Sequence, residues 1–343
     1  MIPKTFGKRP SGSILDKIKQ SENFQNGIFK NQSSTPVKAE NVSYFQMMKD
    51  FINKSKSTVP PVTLPSTKIN LHTLPSDKPT IVWFGHSSYF IKYQGLTILI
   101  DPVFSGNASP FSFFGKSFAG SDVYAPSDFP EIDMMIITHD HYDHLDYKTI
   151  LKFKSTTKHF YTTLGVGEHL KYWGIAENDI TELDWWQKTT INNQTELIAT
   201  PARHFSGRGI QRATSLWASF VLKMGAYKIF IGSDSGYDSH FAEIGKQYGP
   251  FDIAILETGQ YNTNWPLIHM MPEETAQAAI DLKAKVLLPV HWAKFALALH
   301  DWNDPIKRVS VAAKKLNVKL TTPLIGEPII LDASYPDKEW WNL

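Results

Sequence analysis

No cysteine occurs among the 343 residues of this sequence. Disulfides and thiolate chemistry are thereby excluded, and any metal must sit on His, Asp or Glu. Also missing is any apolar run near the ~18 residues that a membrane-spanning helix needs. The N-terminal stretch MIPKTFGKRPSGSILDKIKQ (1–20) is basic, yet it lacks the apolar stretch of roughly 7–15 residues that a secretory signal requires. Blocks of one charge are absent too: Lys and Arg occur at most in pairs, and the net charge is only +2. A polyanion-binding protein usually carries a basic stripe, so no nucleic-acid partner is expected. The expectation is a soluble, cytoplasmic chain, with any membrane contact peripheral and at the inner surface.

What is present is ordinary globular composition, 42% hydrophobic and 20% charged, with enough apolar material for a sizeable core. Residues 1–78 are rich in Ser, Asn, Lys and Pro and read as an N-terminal extension packing on the main domain, 79–343. Within the extension, SYFQMMKDFINK (43–54) places Tyr44, Phe45, Met48, Phe51 and Ile52 on one face of a helix expected to dock on that domain. From Pro79 short apolar runs dominate. TIVWFGHSSYFIKYQGLTILIDP (80–102) reads as three strands, and further strands are expected at 133–137, 159–163, 196–202, 216–224, 227–233, 251–257 and 286–292. Helical patterns fall between them at GVGEHLKYWG, SHFAEIGKQYG, PEETAQAAIDLKA and DPIKRVSVAAKKL, with another near 146–154. Strands outnumber helices and alternate with them. The expected fold is α/β, two sheets face to face with helices outside, an αββα four-layer sandwich.

One loop concentrates chemistry. THDHYDHLD (138–146) follows an apolar strand and sets His139, His141, Asp143 and His144 in the pattern H-x-H-x-D-H. Extended backbone alternates sides, so His139 and His141 can grip one ion, while Asp143 and His144, beyond the turn, can grip a second. With 12 histidines in the chain, chance produces this pattern on the order of once per thousand such sequences. Clustered ionisable groups are costly to hold without a partner, which also favours metal. Imidazole and carboxylate suit zinc, although iron or manganese would accept them. Four side chains do not complete two sites. His204, Asp234 and His291 each close an apolar run, where a loop can deliver a ligand to a common edge.

These residues resemble the metallo-β-lactamase superfamily, and the likeness tightens toward its N-acyl-phosphatidylethanolamine-hydrolysing phospholipase D branch. The motifs that carry it are WFGHSS (83–88), DPVFSGNASP (101–110), THDHYDHLD (138–146), TPARHFSGR (200–208), SDSGY (233–237), IGKQYGPFD (244–252), HMMPEE (269–274) and VHWAKFAL (290–297). NGIFKN (26–31) is similar to that family's N-terminal segment, and SDSGY stands where the family has GDTGY. The resemblance implies two zinc ions. His139, His141 and His204 would hold the first, Asp143, His144 and His291 the second, and Asp234 would bridge them. It also implies that His269 meets a substrate phosphate; the bland alternative is a surface histidine before a helix start. Asp143, Asp234 and His269 are the expected catalytic residues, with Asp143 accepting the proton of a metal-activated water.

The expected activity is then a phosphodiesterase of phospholipase D type acting on N-acyl-phosphatidylethanolamine or a related phospholipid. Alternatives of the same fold are a lactonase, a hydrolase of sugar phosphates or cyclic phosphodiesters, a nuclease, and a non-hydrolytic diiron oxidoreductase. The diiron relatives use H-x-E-x-D, which His141 opposes. FSGNASPFSFFGKSFAG (104–120) fits neither helical nor strand period, so it reads as a loop. Its Phe104, Phe111, Phe113, Phe114 and Phe118 are either buried beneath it or exposed on purpose, where they would hold an acyl chain or enter a lipid interface. Trp185 and Trp186 read as core or rim packing.

Overall fold

The structure is a computed structural model that describes residues 3–343. The first two residues of the expected N-terminal extension lie outside the described residues. The chain opens with α1 (Ser13–Ile18), a hairpin of β1 (Phe24–Gln25) and β2 (Ile28–Phe29), and α2 (Tyr44–Ile52). Next come β3 (Thr80–Trp83), β4 (Tyr89–Tyr93), β5 (Leu96–Ile100), β6 (Ile132–Ile136), α3 (Tyr147–Phe153), β7 (Thr157–Thr163), α4 (Gly167–Tyr172) and β8 (Ile180–Leu183). The second half holds β9 (Lys188–Asn192), β10 (Thr195–Thr200), β11 (Ser219–Met224), β12 (Tyr227–Ile231), α5 (His240–Gln247), β13 (Ile253–Glu257), α6 (Pro272–Asp281), β14 (Leu287–Val290), α7 (Asp304–Leu316) and β15 (Pro328–Ile330).

Besides the two-stranded β1-β2 hairpin, two large sheets form, a seven-stranded one in the order β15-β3-β4-β5-β6-β7-β8 and a six-stranded one in the order β14-β13-β12-β11-β10-β9. Alternation of side chains along each strand sorts the core into layers. Ile81 and Trp83 of β3 enter a cluster shared with Leu197, Phe220 and Ile231 of the other sheet. Val82 and Phe90 face the opposite way, with Ile150 and Phe153 of α3 and Leu170 of α4. On the far side of the second sheet Phe241, Ala276 and Ile306 bring in α5, α6 and α7. The αββα sandwich is therefore present. Each fully sealed side chain such as Phe160, Phe220 or Phe230 contributes about 1.5–3 kcal/mol of burial free energy.

Strand direction decides where chemistry collects. β5, β6 and β7 run parallel, as do β12, β13 and β14. β3 is antiparallel to β4, which is antiparallel to β5, so β3 and β5 end at the same edge. The same two reversals bring the end of β10 to the edge where β12 ends. Side chains placed just after these strands share one rim, the usual location of sites in open α/β sheets.

The helix at 43–54 docks differently from its expected face. Tyr44, Phe45, Met48 and Ile52 are exposed, while Met47 and Phe51 turn inward against Trp265, Ile268 and Ala298. Only Phe51 of the five expected residues belongs to the docked side. The helix enters edge-on, stacking Phe51 on Trp265, and its main apolar stripe stays outside. The phenylalanine-rich loop divides as well. Phe118 is buried and Phe104 packs beneath the loop, whereas Phe111, Phe113 and Phe114 are exposed.

Candidate metal centre

The histidine loop starts directly after β6, and the remaining expected ligands arrive from the ends of three other strands. His204 follows β10, Asp234 follows β12 and His291 follows β14. All seven expected ligand positions come together. The donor atoms of His139, His141, His204 and Asp234 lie within 4.8 Å of one another, as do those of His86, Asp143, His144 and His291. Asp234 adjoins both groups: its Oδ2 is 3.8 Å from His139 Nε2 and 3.7 Å from His204 Nε2, while its Oδ1 is 3.1 Å from His144 Nε2 and 3.2 Å from His291 Nδ1.

The electrostatics suit cations. Burial pulls the imidazoles of His139, His204 and His291 well below their ordinary pKa, so they present neutral lone pairs. Burial pushes Asp234 up, but the neighbouring His144 and His291 outweigh it and hold the carboxyl well below its usual range. His144 behaves oppositely. Burial pulls it down, yet Asp234, Asp143 and Asp101 together raise it well above the ordinary value. His144 Nε2 and Asp234 Oδ1 are both buried without a hydrogen-bond partner, although they approach each other to 3.1 Å. Two orphaned donor atoms among imidazoles and carboxylates, with no thiolate, fit a borderline divalent cation.

Partners behind the candidate ligands fix their directions. Asp101, at the end of β5, accepts from His144 Nδ1 at 2.7 Å and from the Thr138 hydroxyl at 2.6 Å and its N–H at 2.8 Å. The His204 ring donates its Nδ1–H to the Ile268 carbonyl, 2.8 Å away. Its main chain is clamped from the N-terminal extension: Asn31 Nδ2 donates to His204 O at 2.8 Å, and His204 N donates to Asn31 Oδ1 at 3.0 Å. Ser87 Oγ lies 2.9 Å from His291 Nδ1. Such outer contacts set tautomer and ring orientation at metal sites.

His269 also reaches the centre. Its ring lies 5.0 Å from that of His204 and 5.4 Å from that of His291. Nδ1 is 2.6 Å from Glu257 Oε2, and Glu257 Oε1 accepts the N–H groups of Ser235 and Met270, each at 3.0 Å. Burial opposes charge on His269, but the Glu257 carboxylate outweighs it and raises the imidazole to about 9. Sequence reading named neither His86, Asp101, Asn31 nor Glu257 as site residues. Three of them sit inside the motifs WFGHSS, DPVF and NGIFKN, which is the signal that marked them; Glu257 was visible only as the polar end of the strand FDIAILE.

The fold and this centre define a class, the metal-dependent hydrolases of metallo-β-lactamase fold. The chain belongs to the beta-lactamase superfamily, whose domain model matches residues 97–292. An uncharacterized protein of Mycobacterium tuberculosis is 34% identical over 338 residues, covering 97% of this chain and 91% of that protein. The N-acyl-phosphatidylethanolamine-hydrolyzing phospholipase D 1 of Caenorhabditis elegans is 28% identical over 267 residues, covering 71% of this chain and 74% of its own. Among solved structures, the metallo hydrolase Igni18 of Ignicoccus hospitalis matches with a TM-score of 0.57 and 19% identity, covering 75% of this chain and 100% of that one. CmlA, a diiron beta-hydroxylase of Streptomyces venezuelae, matches with a TM-score of 0.59 and 17% identity, over 75% of this chain and 55% of that one. At these identities the structural likeness is one of fold.

Proposed function

We propose that this chain is a zinc-dependent phosphodiesterase of phospholipase D type, acting on N-acyl-phosphatidylethanolamine or a related phospholipid. In this reading His139, His141 and His204 hold one zinc ion, Asp143, His144 and His291 hold the other, and Asp234 bridges them. Bound there, a pair of divalent cations supplies Lewis acidity and a water whose pKa is lowered toward about 7.

The observation that carries the reading is the placement of His269. Glu257 occupies its Nδ1, which leaves Nε2 for a ligand at the rim between His204 and His291. An imidazolium at that position donates a charge-assisted hydrogen bond to a phosphoryl oxygen. Asp143, the more exposed of the two central carboxylates, would take the proton of the attacking water, and Asp234 would keep the two halves in register.

Two exposed apolar groups favour a lipid over a sugar phosphate. Phe6 makes edge contacts with both Phe111 and Tyr142, which joins the phenylalanine loop to the histidine loop. Helix α2 joins the centre through Met47 and Phe51, which pack in one cluster with Ile268 and Phe205, neighbours of His269 and His204. Tyr44, Phe45, Met48 and Ile52 then face outward beside the site, a surface that suits peripheral contact with a phospholipid interface. No helix among the described residues is long and apolar enough to cross a membrane.

The test is hydrolysis of a panel by wild type and Asp234→Asn, with zinc content measured on both. The panel holds N-acyl phospholipids in mixed micelles, cyclic nucleotides, soluble phosphodiesters and lactones. Expected are turnover of the phospholipid by wild type, and loss of turnover together with zinc in the variant. Full turnover by Asp234→Asn overturns the bridging assignment. Lactone turnover without phosphodiester turnover overturns the substrate class.

A further inference from the structure

His86 is the fourth residue of the group formed with Asp143, His144 and His291, and neither the proposed ligand set nor the proposed catalytic residues include it. It is fully buried. Its backbone is unusual, with φ at +52°, and His291 beside it has φ at +69°. Non-glycine residues rarely adopt this left-handed region, and they persist there only where their surroundings determine the conformation. The surroundings here are specific. His86 N donates to Trp292 O at 2.8 Å, and His291 N donates to His86 O at 2.9 Å. Trp83 Nε1 donates to the same His86 carbonyl at 2.7 Å. Two imidazole-bearing residues from opposite sheets are thus locked main chain to main chain, and their rings stand 4.0 Å apart.

The side chain shows what the lock serves. His86 Nε2 lies 3.0 Å from Asp143 Oδ2, and this is the Asp143 carboxylate's hydrogen bond to protein among the described residues. His86 Nδ1 is buried with no partner. A carboxylate accepts and does not donate, so the shared proton belongs to His86 Nε2. An imidazole nitrogen that carries a proton offers no lone pair to a cation. His86 therefore approaches the donor cluster as the partner of a ligand rather than as a ligand. The carboxylate it holds is also the one that most needs holding. Asp143 stands in the turn after His141 and has 13% side-chain exposure, against 2% for Asp234.

We infer that His86 is a positioning residue for the second half of the centre, donating Nε2–H to Asp143 so that this carboxylate keeps one orientation toward a divalent cation. The inference rests on the two-metal reading above. Outer contacts of this kind typically change metal affinity by about 10–100-fold.

The experiment compares His86→Asn with His86→Gln in the full chain. Both carry an amide N–H donor, and Asn tolerates left-handed backbone, so a folding defect is the less expected cause of its failure. The Asn side chain is one methylene shorter and falls short of Asp143, whereas the Gln amide extends to about the reach of Nε2. Zinc is titrated into metal-free protein against a chromophoric chelator, with kcat and KM followed in parallel. Expected in His86→Asn is a first equivalent bound as in wild type, a second weakened by about 10–100-fold, and a fall in kcat larger than any change in KM. His86→Gln should recover most of both losses. Unchanged binding of both equivalents by His86→Asn overturns the inference. Equal weakening in Asn and Gln, with the first equivalent intact, also overturns it, because it means the imidazole itself coordinates. Wild type binding a single equivalent sinks the two-metal reading instead, whatever the variants do.

Discussion

Replacing Asp101 by Asn tests how the His144 ring is aimed. In the native arrangement the carboxylate lies 2.7 Å from His144 Nδ1 and accepts twice from Thr138. With a cation bound, the remaining ring proton would sit on Nδ1 and the Nε2 lone pair, 3.1 Å from Asp234 Oδ1, would face the centre. Asparagine keeps the size and one acceptor. Oδ2 meets both the Thr138 hydroxyl and His144 Nδ1, while Oδ1 meets the Thr138 N–H, so the amide nitrogen takes one of these two positions. In the Oδ2 position the Thr138 hydroxyl can turn to accept, but His144 Nδ1 has to become an acceptor and the ring proton moves to Nε2, where it blocks coordination. In the Oδ1 position the amide opposes the Thr138 N–H, donor against donor, and a neutral oxygen replaces the charged acceptor at His144. Losing a buried hydrogen bond to a charged group costs about 1.5–3 kcal/mol, and loss of a carboxylate behind a metal-bound histidine costs about 10–100-fold in affinity. At about 1.4 kcal/mol per tenfold these two estimates overlap, so the effect should fall between them. The assay is zinc titration against a chelator, paired with urea denaturation of the metal-free protein. Expected is a weakened second equivalent and a first equivalent nearly unchanged. Wild-type affinity at both equivalents would refute the argument that Asp101 sets the His144 tautomer.

Two further outcomes follow from contacts outside the ligand set. Asn31→Ala leaves the N–H and C=O of His204 without their side-chain partners, which should cost about 1–3 kcal/mol of stability and loosen the first metal position; an unchanged urea midpoint would show that the extension does not support the centre. Burial lowers the His240 imidazole from 6.5 to about 4, so the folded protein refuses a proton that the unfolded chain accepts. Stability attributable to this group is complete above about pH 6.5 and falls as the pH drops toward about 4, by about 3 kcal/mol in all. His240→Gln should flatten that part of the urea-denaturation profile between pH 4 and 7, and matching slopes in wild type and variant would be the contrary result.

Charge accounts for why the proposed substrate is an anion. Two divalent cations would exceed the carboxylates Asp101, Asp143 and Asp234 by one unit, while Glu257 and His269 neutralise each other as a pair. A phosphodiester carries one negative charge and gains more as its transition state forms. A lactone is neutral in its ground state and offers His269 much less to bind. In a buried site such differences are weakly screened, so the substrate panel measures charge as well as shape.

The candidate donors that converge were legible in the sequence because each sits at the end of an apolar run, and strand ends are where a sheet delivers side chains to a common rim. H-x-H-x-D-H needs no tertiary information, since its spacing alone places the donors. The long central strands and α5, α6 and α7 were legible for a similar reason: their periodicity is a local record of which side meets the core. The short edge strands β8, β9 and β15 were not among the expected elements. β9, KTTIN, alternates only between exposed and half-buried positions, so it leaves no apolar run to read. Helix α2 shows a subtler limit. Its periodicity reveals which residues share a face, but not which neighbour covers that face, and the wedge at Trp265 takes Met47 and Phe51 instead. His86, Asp101, Asn31 and Glu257 lie at the end of the same scale. Their roles depend on partners 57, 43, 173 and 12 positions away, and no local pattern encodes a distance of that kind. A metal ligand advertises its chemistry through residue type; the residue that aims it is an ordinary polar side chain until the chain has folded around it.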